Sequence, residues 1–296
     1  MFKKAERKQS KLRLAITGAS GSGKTTAALN IATGMGGRIA VLDTENGSAS
    51  LYADQFDFDV VNLVAPYTPE RFIEVIHAAE KEGYDILIID SASHEWSGKG
   101  GCLEINDMLA ASKFRGNTWS AWSETTPRHR KFIDEMLRTS MHIIVTMRSK
   151  TETVQGEGKK IMKLGMKSEQ RDGMEYEFTT VLDLMHDSHL ATATKDRTRL
   201  FMSADPQPVT QETGGMLMNW LTSGKADRTI TADQRDILQD LMHEAGVDVP
   251  SFCARRDLAS LMEIKESVFD ETMLALRQRI KNKVAAAASV NDPEVH

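Results

Sequence analysis

The sequence predicts an α/β fold: a mostly parallel sheet flanked by helices, with a small helical domain at its C-terminal end. Three observations carry that prediction. Short β-type runs alternate with helix-type segments through the first two-thirds of the chain. A glycine-rich turn, GASGSGKTT at 18–26, stands between an apolar run and a helical pattern. The residues after about 226 repeat their apolar positions at helical spacing.

The β-type runs are RLAIT, then RIAVLD at 38–43, FDVVNLV at 58–64, ILIID at 86–90 and HIIVTM at 142–147, with a helix opening at Lys24 after the first. Between the third and fourth runs, TPERFIEVIHAAEKEG reads as a helix capped by Thr68, with Pro69 in its first turn and Gly83 past its end. The segment 151–167 alternates around Gly156 and Gly158 as a hairpin or mobile loop. EFTTVLDLMHD and HLATATKDR then read as strands joined by a turn at 187–189. ADPQPVTQETGG reads as a boundary or surface connection. Beyond it, Thr231 and Gln234 form a capping-box pattern ahead of Ile237, Leu238, Leu241 and Met242, and Ser267 precedes a stripe of Phe269, Met273, Leu276 and Ile280. The resulting division is a basic N-terminal arm at 1–11, an α/β core at 12–203, a linker at 204–228, a helical domain at 229–284 and a flexible tail at 285–296.

A chain of 296 residues is long enough to bury such a core unaided. Its two cysteines, Cys102 and Cys253, form no CxxC or Cys/His spacing, so neither a disulfide framework nor a zinc site is expected, and a cytoplasmic location fits. No apolar stretch approaches the roughly 20 residues of a membrane span, and the start lacks a signal-peptide core; no membrane association is expected. The net charge of -5 excludes a uniformly basic coat, yet Lys3, Lys4, Arg7, Lys8, Lys11 and Arg13 are opposed only by Glu6. Such a run reads first as a solvated arm and second as a surface for nucleic acid or a neighbouring subunit.

The turn matches G-x-x-x-x-G-K-[ST] as Gly18, Ala19, Ser20, Gly21, Ser22, Gly23, Lys24 and Thr25, continued by Thr26, with strand before and helix after. Glycines let the backbone close around a phosphate so that successive N–H groups face its charge. Lys24 then reaches the β- and γ-phosphates of a nucleotide such as ATP, and the Thr25 hydroxyl serves Mg²⁺. A carboxylate near the metal is supplied by DILIID, an apolar strand ending in Asp90. Hydrolysis also needs a group to orient water at the γ-phosphate. Two acids fit by spacing: Glu45, after RIAVLD, and Glu95, in SASHEW. The eight histidines show no HExxH-type spacing, and Ser91 and Ser93 lack the partners of a catalytic triad.

At VLDTENGSASLY and DILIIDS the sequence resembles RecA-type recombinase ATPases, with an acid-x-glutamate at a strand end and a tyrosine seven residues later. Over about residues 12–202 its layout is similar to the short RecA-like ATPases of bacteriophages, the Sak group of single-strand annealing and recombination proteins. The resemblance implies a RecA-like P-loop core with Glu45 as catalytic glutamate and Tyr52 as adenine platform. It places the γ-phosphate sensor at the end of HIIVTMRSK, where Thr146 and Arg148 are the candidates. Lys195 and Arg197, in ATKDRTR, correspond to cations that reach the nucleotide of the next subunit.

It further implies a homo-oligomer, ring or filament, on single-stranded DNA in the bacterial host cytoplasm, with a single-strand-binding protein as a further partner. Loops after the Asp90 strand and the sensor strand would hold the DNA. The first, 96–122, carries Trp96, Lys99, Lys113, Arg115, Trp119 and Trp122. The second, 150–171, carries Lys150, Lys159, Lys160, Lys163, Lys167 and Arg171 against Glu152, Glu157 and Glu169. Cations with interspersed aromatics suit phosphates and stacked bases, although Trp119 and Trp122, three apart, also suit a buried helix face. A ring helicase or packaging motor would use the same core. A small-molecule kinase shares the glycine turn but not the acid-x-glutamate strand, and no N-K-x-D motif points to guanine.

Overall fold

The structure, a computed structural model, describes residues 4–155, 161–226, 228–256 and 258–290. Lys3, Glu157, Lys159, Lys160 and the end of the expected tail lie outside the described residues, as do the side chains of Glu152 and Lys163. The chain divides into two compact units, Ser10–Ser223 and Met1–Gln9 with Gly224–His296.

In the larger unit, β1 (Arg13–Gly18), β2 (Ile39–Asp43), β3 (Asp59–Asn62), β4 (Ile86–Asp90), β5 (His142–Gln155) and β7 (Thr180–Leu184) form the parallel part of a sheet ordered β3-β2-β4-β5-β1-β7. Strands β8 (Leu190–Asp196) and β9 (Gln207–Pro208) extend the β7 edge antiparallel, and β6 (Ile161–Ser168) folds back on the long β5. The mixed, mostly parallel α/β sheet therefore stands as predicted. Its side chains alternate: Leu14 and Ile16 enter the apolar cluster under α1 (Lys24–Met35) and α6 (Gln211–Thr222), whereas Ala15 enters the opposite one under α2 (Pro69–Lys81) and α5 (Thr118–Arg138), the shorter α3 (Ser93–Ser97) and α4 (Cys102–Ser112) lying between those two in sequence.

Two expectations about boundaries differ from the structure. The expected linker contains α6, which packs on α1 so closely that a Cβ at Gly34 would lie 1.8 Å from Gln211 O and one at Gly214 2.1 Å from Ile31 O. The GG of TQETGG thus serves a helix crossing; it reads as a turn only because glycine marks both. The basic run is also divided. Arg13 is buried, donating to Leu137 O at 2.9 Å, Thr139 O at 2.6 Å and Met141 O at 2.7 Å, which satisfies carbonyls left open at the end of α5. In the smaller unit Gln9 N donates to Lys225 O at 3.0 Å, and Glu6 pairs with Lys225 at 2.8 Å.

That unit has its own apolar cluster, built from α7 (Ala232–Ala245), α8 (Val249–Ala254) and α9 (Glu266–Val290), including Leu238, Met242, Phe252 and Leu276. Thr231 and Gln234 form the predicted capping box.

Candidate active site

The strand ends of β1, β2, β4 and β5 converge on one edge of the sheet, beside the first turn of α1. Gly18, Gly21 and Gly23 have φ of 157°, 80° and 91°, left-handed values that favour glycine, and they bend the loop back over the helix N-terminus. A Cβ at Gly18 would lie 2.4 Å from Ser22 Oγ, so the loop is drawn tight. Lys24 folds over it, its Nζ donating to Ala19 O at 2.8 Å. Burial lowers the ammonium's pKa, and Asp90 and Glu45 oppose that shift.

Beside Lys24, the Thr25 hydroxyl donates to Asp90 Oδ2 at 2.6 Å and the Thr146 hydroxyl donates to Asp90 Oδ1. Asp90 is buried, which pushes its carboxyl up; the two hydroxyl bonds act the other way. Among the described residues Ser22 Oγ and Ser91 Oγ are buried without a hydrogen-bond partner. A tight loop of amides, a buried cation, a hydroxyl-carboxylate pair and two unanswered hydroxyls fit a phosphate chain with a divalent ion. Lys24 and the loop amides would hold the phosphates, and Thr25 and Asp90 the ion. Thr26, half-buried, is the third residue of α1.

The two acids that spacing left open have different surroundings. Glu45 stands half-buried at the strand-end edge, where Arg148 Nε donates to its Oε1 at 2.9 Å. Burial raises its carboxyl, but the Arg148 bond and charge, with His94 and Lys24, outweigh burial and hold it below the ordinary range. Asp43 orients the turn, accepting from Glu45 N at 2.5 Å and Ala49 N at 2.8 Å. Glu95 is fully buried against His129 Nδ1 (3.1 Å from each carboxylate oxygen), Cys102 Sγ (3.1 Å) and Gln170 Nε2 (3.3 Å). Sequence spacing suggests no Cys/His cluster; the fold brings Cys102 and His129 together from 27 residues apart in sequence, each already bonded to Glu95.

Tyr52 ends a short 3₁₀ helix, Ser48–Tyr52, and packs half-buried on the cluster beneath α1. Lys195 and Arg197 are not brought to this chain's own phosphate loop. In the β7–β8 register Lys195 lies opposite Val181 and Asp196 opposite Thr180, toward the edge where β7 begins, whereas Gly18 pairs with Leu184 at its other end. Lys195 donates to Glu175 O at 3.0 Å and Tyr176 O at 2.5 Å; Arg197 is exposed and donates to Tyr176 O at 3.3 Å.

The two loop regions meet. Trp96, Trp119 and Trp122 from the first and Lys150, Lys167 and Arg171 from the second line one groove of about 1080 Å³. Trp96 stacks on Trp122 with ring centroids 5.5 Å apart, Arg171 lies 5.7 Å from the Trp122 ring, and Trp119 is 86% exposed. Lys99, Lys113 and Arg115 do not line this groove; Lys113 pairs with Glu124. Gln170 was not foreseen. It bonds Ala92 O at 3.1 Å as well as Glu95, joining the second loop to the turn after Asp90.

A family model described as an AAA domain matches residues 10–213. The chain belongs to that family. Its larger unit is thus a nucleotide-dependent ATPase domain of the P-loop type, and the matched span takes in the whole sheet and ends in the first turn of α6. No curated protein matches the chain. Among the described residues of this AAA-domain protein no helix is long and apolar enough to cross a membrane.

Proposed function

We propose that this AAA-domain protein is a Mg²⁺-dependent ATPase of phage recombination or single-strand annealing, a RecA-like protein of the Sak type that works as a homo-oligomer on single-stranded DNA in the host cytoplasm. The observation that carries the reading is the convergence of three tryptophans and three cations in one groove, lined by the helices after β4 and by the β5–β6 hairpin with the residues that follow it. Lys150 and Lys167 stand opposite each other in the β5–β6 ladder, and like charges so placed cost stability unless an anion answers them. Asp172 pairs with Lys167 at 2.8 Å, and a phosphodiester backbone would add to that neutralisation. Exposed aromatic faces accept any base by stacking, worth about 1–3 kcal/mol each.

In this reading Lys24 and the loop amides bind the triphosphate tail, Thr25 and Asp90 hold the metal ion, and Thr146 fixes the Asp90 carboxylate. A bound divalent ion would neutralise phosphate charge. Glu45 orients the water once Arg148 releases its carboxylate, since a carboxylate held low by a guanidinium is a poor base. Arg148 belongs to the strand that continues to Lys150, so the groove and Glu45 share one element. Lys195 and Arg197, far from their own loop, suit a neighbouring subunit's nucleotide; Tyr52, after β2 and packed on the cluster beneath α1, is not assigned the base. A single-strand-binding protein would be a further partner.

The test is ATP turnover with single-stranded DNA, duplex DNA, RNA or no polymer, at two salt concentrations and several protein concentrations. Stimulation by single-stranded DNA that weakens with salt, and specific activity that rises with protein concentration, are expected. Turnover indifferent to all three polymers, with phosphate passed to a metabolite, would overturn the proposal in favour of a kinase.

A further inference from the structure

We infer that His186 and His189, on the turn between β7 and β8, form the subsite for the nucleoside half of the bound nucleotide. This inference rests on the ATP-binding reading above.

The direction of the ligand follows from the strand order. β1 lies between β5 and β7. Everything that suits a metal ion and terminal phosphate lies on the β5 side: Thr146 on β5, Asp90 on β4, and Glu45 after β2. A triphosphate whose tail points that way carries its ribose and base toward the β7 side of the loop. There the β7–β8 turn meets the loop's outer wall. Gly18 pairs with Leu184, a Cβ at Gly21 would lie 3.4 Å from His186 Cε1, and one at Gly23 would lie 3.7 Å from His189 Nδ1. Both imidazoles are exposed beside the loop.

His189 is held in a fixed pose. Its φ is 57°, its backbone N–H donates to Met185 O at 3.0 Å, and its Nδ1 is 3.1 Å from Ser22 O. A carbonyl oxygen only accepts, so Nδ1 carries the hydrogen, and in the neutral ring Nε2 is left as an acceptor. That lone pair suits a donor such as a ribose hydroxyl or the exocyclic amine of adenine, and the adjacent His186 ring adds a flat π surface for a base.

The experiment compares, by calorimetry with magnesium, the binding of ATP and of inorganic tripolyphosphate, which has the tail without the nucleoside. It uses the full chain and the variants His186→Ala, His189→Asn and both together. Asparagine keeps an N–H donor at 189 but not the Nε2 lone pair. The double variant is expected to lose about tenfold or more in ATP affinity while its tripolyphosphate affinity changes less than about twofold. Equal losses for both ligands would mean that the histidines only brace the loop, and no loss for either would mean that they face solvent; each result overturns the inference. Failure of the underlying reading looks different, because the unaltered protein would then bind neither ligand.

Discussion

Arg148 and Glu45 are joined across two elements: the guanidinium Nε, two residues past Thr146, donates at 2.9 Å to the carboxylate that follows β2. The pair forms where strand ends converge, and it keeps Glu45 ionised and occupied. Replacing Glu45 by Gln leaves the phosphate loop, Thr25 and Asp90 untouched. ATP affinity should therefore stay within a few-fold, while kcat falls by about 10²–10⁴ as expected for loss of a general base. Single-turnover hydrolysis measured beside equilibrium ATP binding checks both halves. A variant that still turns over at the original rate would remove Glu45 from the chemistry.

Glu95 should behave differently, because its carboxylate is spent on neighbours inside the protein. Glu95→Ala strands His129 Nδ1 and the Cys102 thiol, both buried, and leaves Gln170 Nε2 with Ala92 O alone. Unsatisfied buried groups cost about 1–3 kcal/mol each, so the melting temperature should drop by several degrees. Glu95→Gln, which keeps an acceptor oxygen, should hydrolyse ATP at near the original rate. Loss of turnover in Glu95→Gln with an unchanged melting temperature would reverse the assignment of the two acids.

The groove tryptophans separate by role. Trp119 is exposed, so Trp119→Ala should leave stability unchanged and weaken single-stranded DNA binding by about 1–3 kcal/mol. Trp122 is half-buried and stacks on Trp96, so Trp122→Ala should lower the melting temperature as well. Lys150→Ala should weaken binding to all sequences and flatten the dependence of log affinity on log salt by about 0.7. Fluorescence anisotropy across a salt series, with thermal melts in parallel, reads all three. DNA affinity that ignores both Trp119 and Lys150 would place the DNA elsewhere.

The sheet was legible because its central strands are buried on both faces, which leaves continuous apolar runs such as IAVL at 39–42 and ILII at 86–89. The phosphate loop was legible because its chemistry is local: every residue it needs falls within 18–26. What escaped depends on packing between distant segments. Glu95 meets His129 only when α5 folds back over the turn after β4, and Gln170 reaches Ala92 only through the β5–β6 hairpin. Spacing therefore gave no way to choose between Glu45 and Glu95. The GG at 214–215 misled for a related reason, since a close helix crossing and a turn ask for the same residue.

That crossing makes a direct test of α6 as part of the ATPase unit. A Cβ at Gly34 or Gly214 runs into backbone oxygens, which cannot rotate away as a side chain would. Gly34→Ala and Gly214→Ala should each cost about 1–3 kcal/mol through a forced separation of α1 and α6, despite alanine's better helix propensity. Because α1 begins at the phosphate loop, ATP affinity should fall with stability. Gly36→Ala is the contrast for crowding: no atom lies within 4 Å of its Cβ, so any cost there comes from its φ of 76°. Unfolding curves showing no loss for Gly34→Ala or Gly214→Ala would mean that α6 is not seated on α1 in solution.

His142 supplies a pH dependence whose sign is fixed by geometry. Its ring is buried, and Nδ1 accepts the Leu12 N–H at 3.0 Å, which only an unprotonated nitrogen can do. Burial, then the nearby charges of Lys11 and Arg13, bring its pKa down to about 4. The unfolded chain takes up that proton near the ordinary histidine value of about 6.5. Stability from this residue is therefore complete above about pH 6.5 and is lost as pH falls toward 4, at most about 3 kcal/mol in total. Urea midpoints should decline across that window, and His142→Asn, whose Oδ1 accepts the same N–H without titrating, should flatten the decline between about pH 6.5 and 5, above the range where carboxylates contribute. An equal decline in the variant would mean that His142 is not the group responsible.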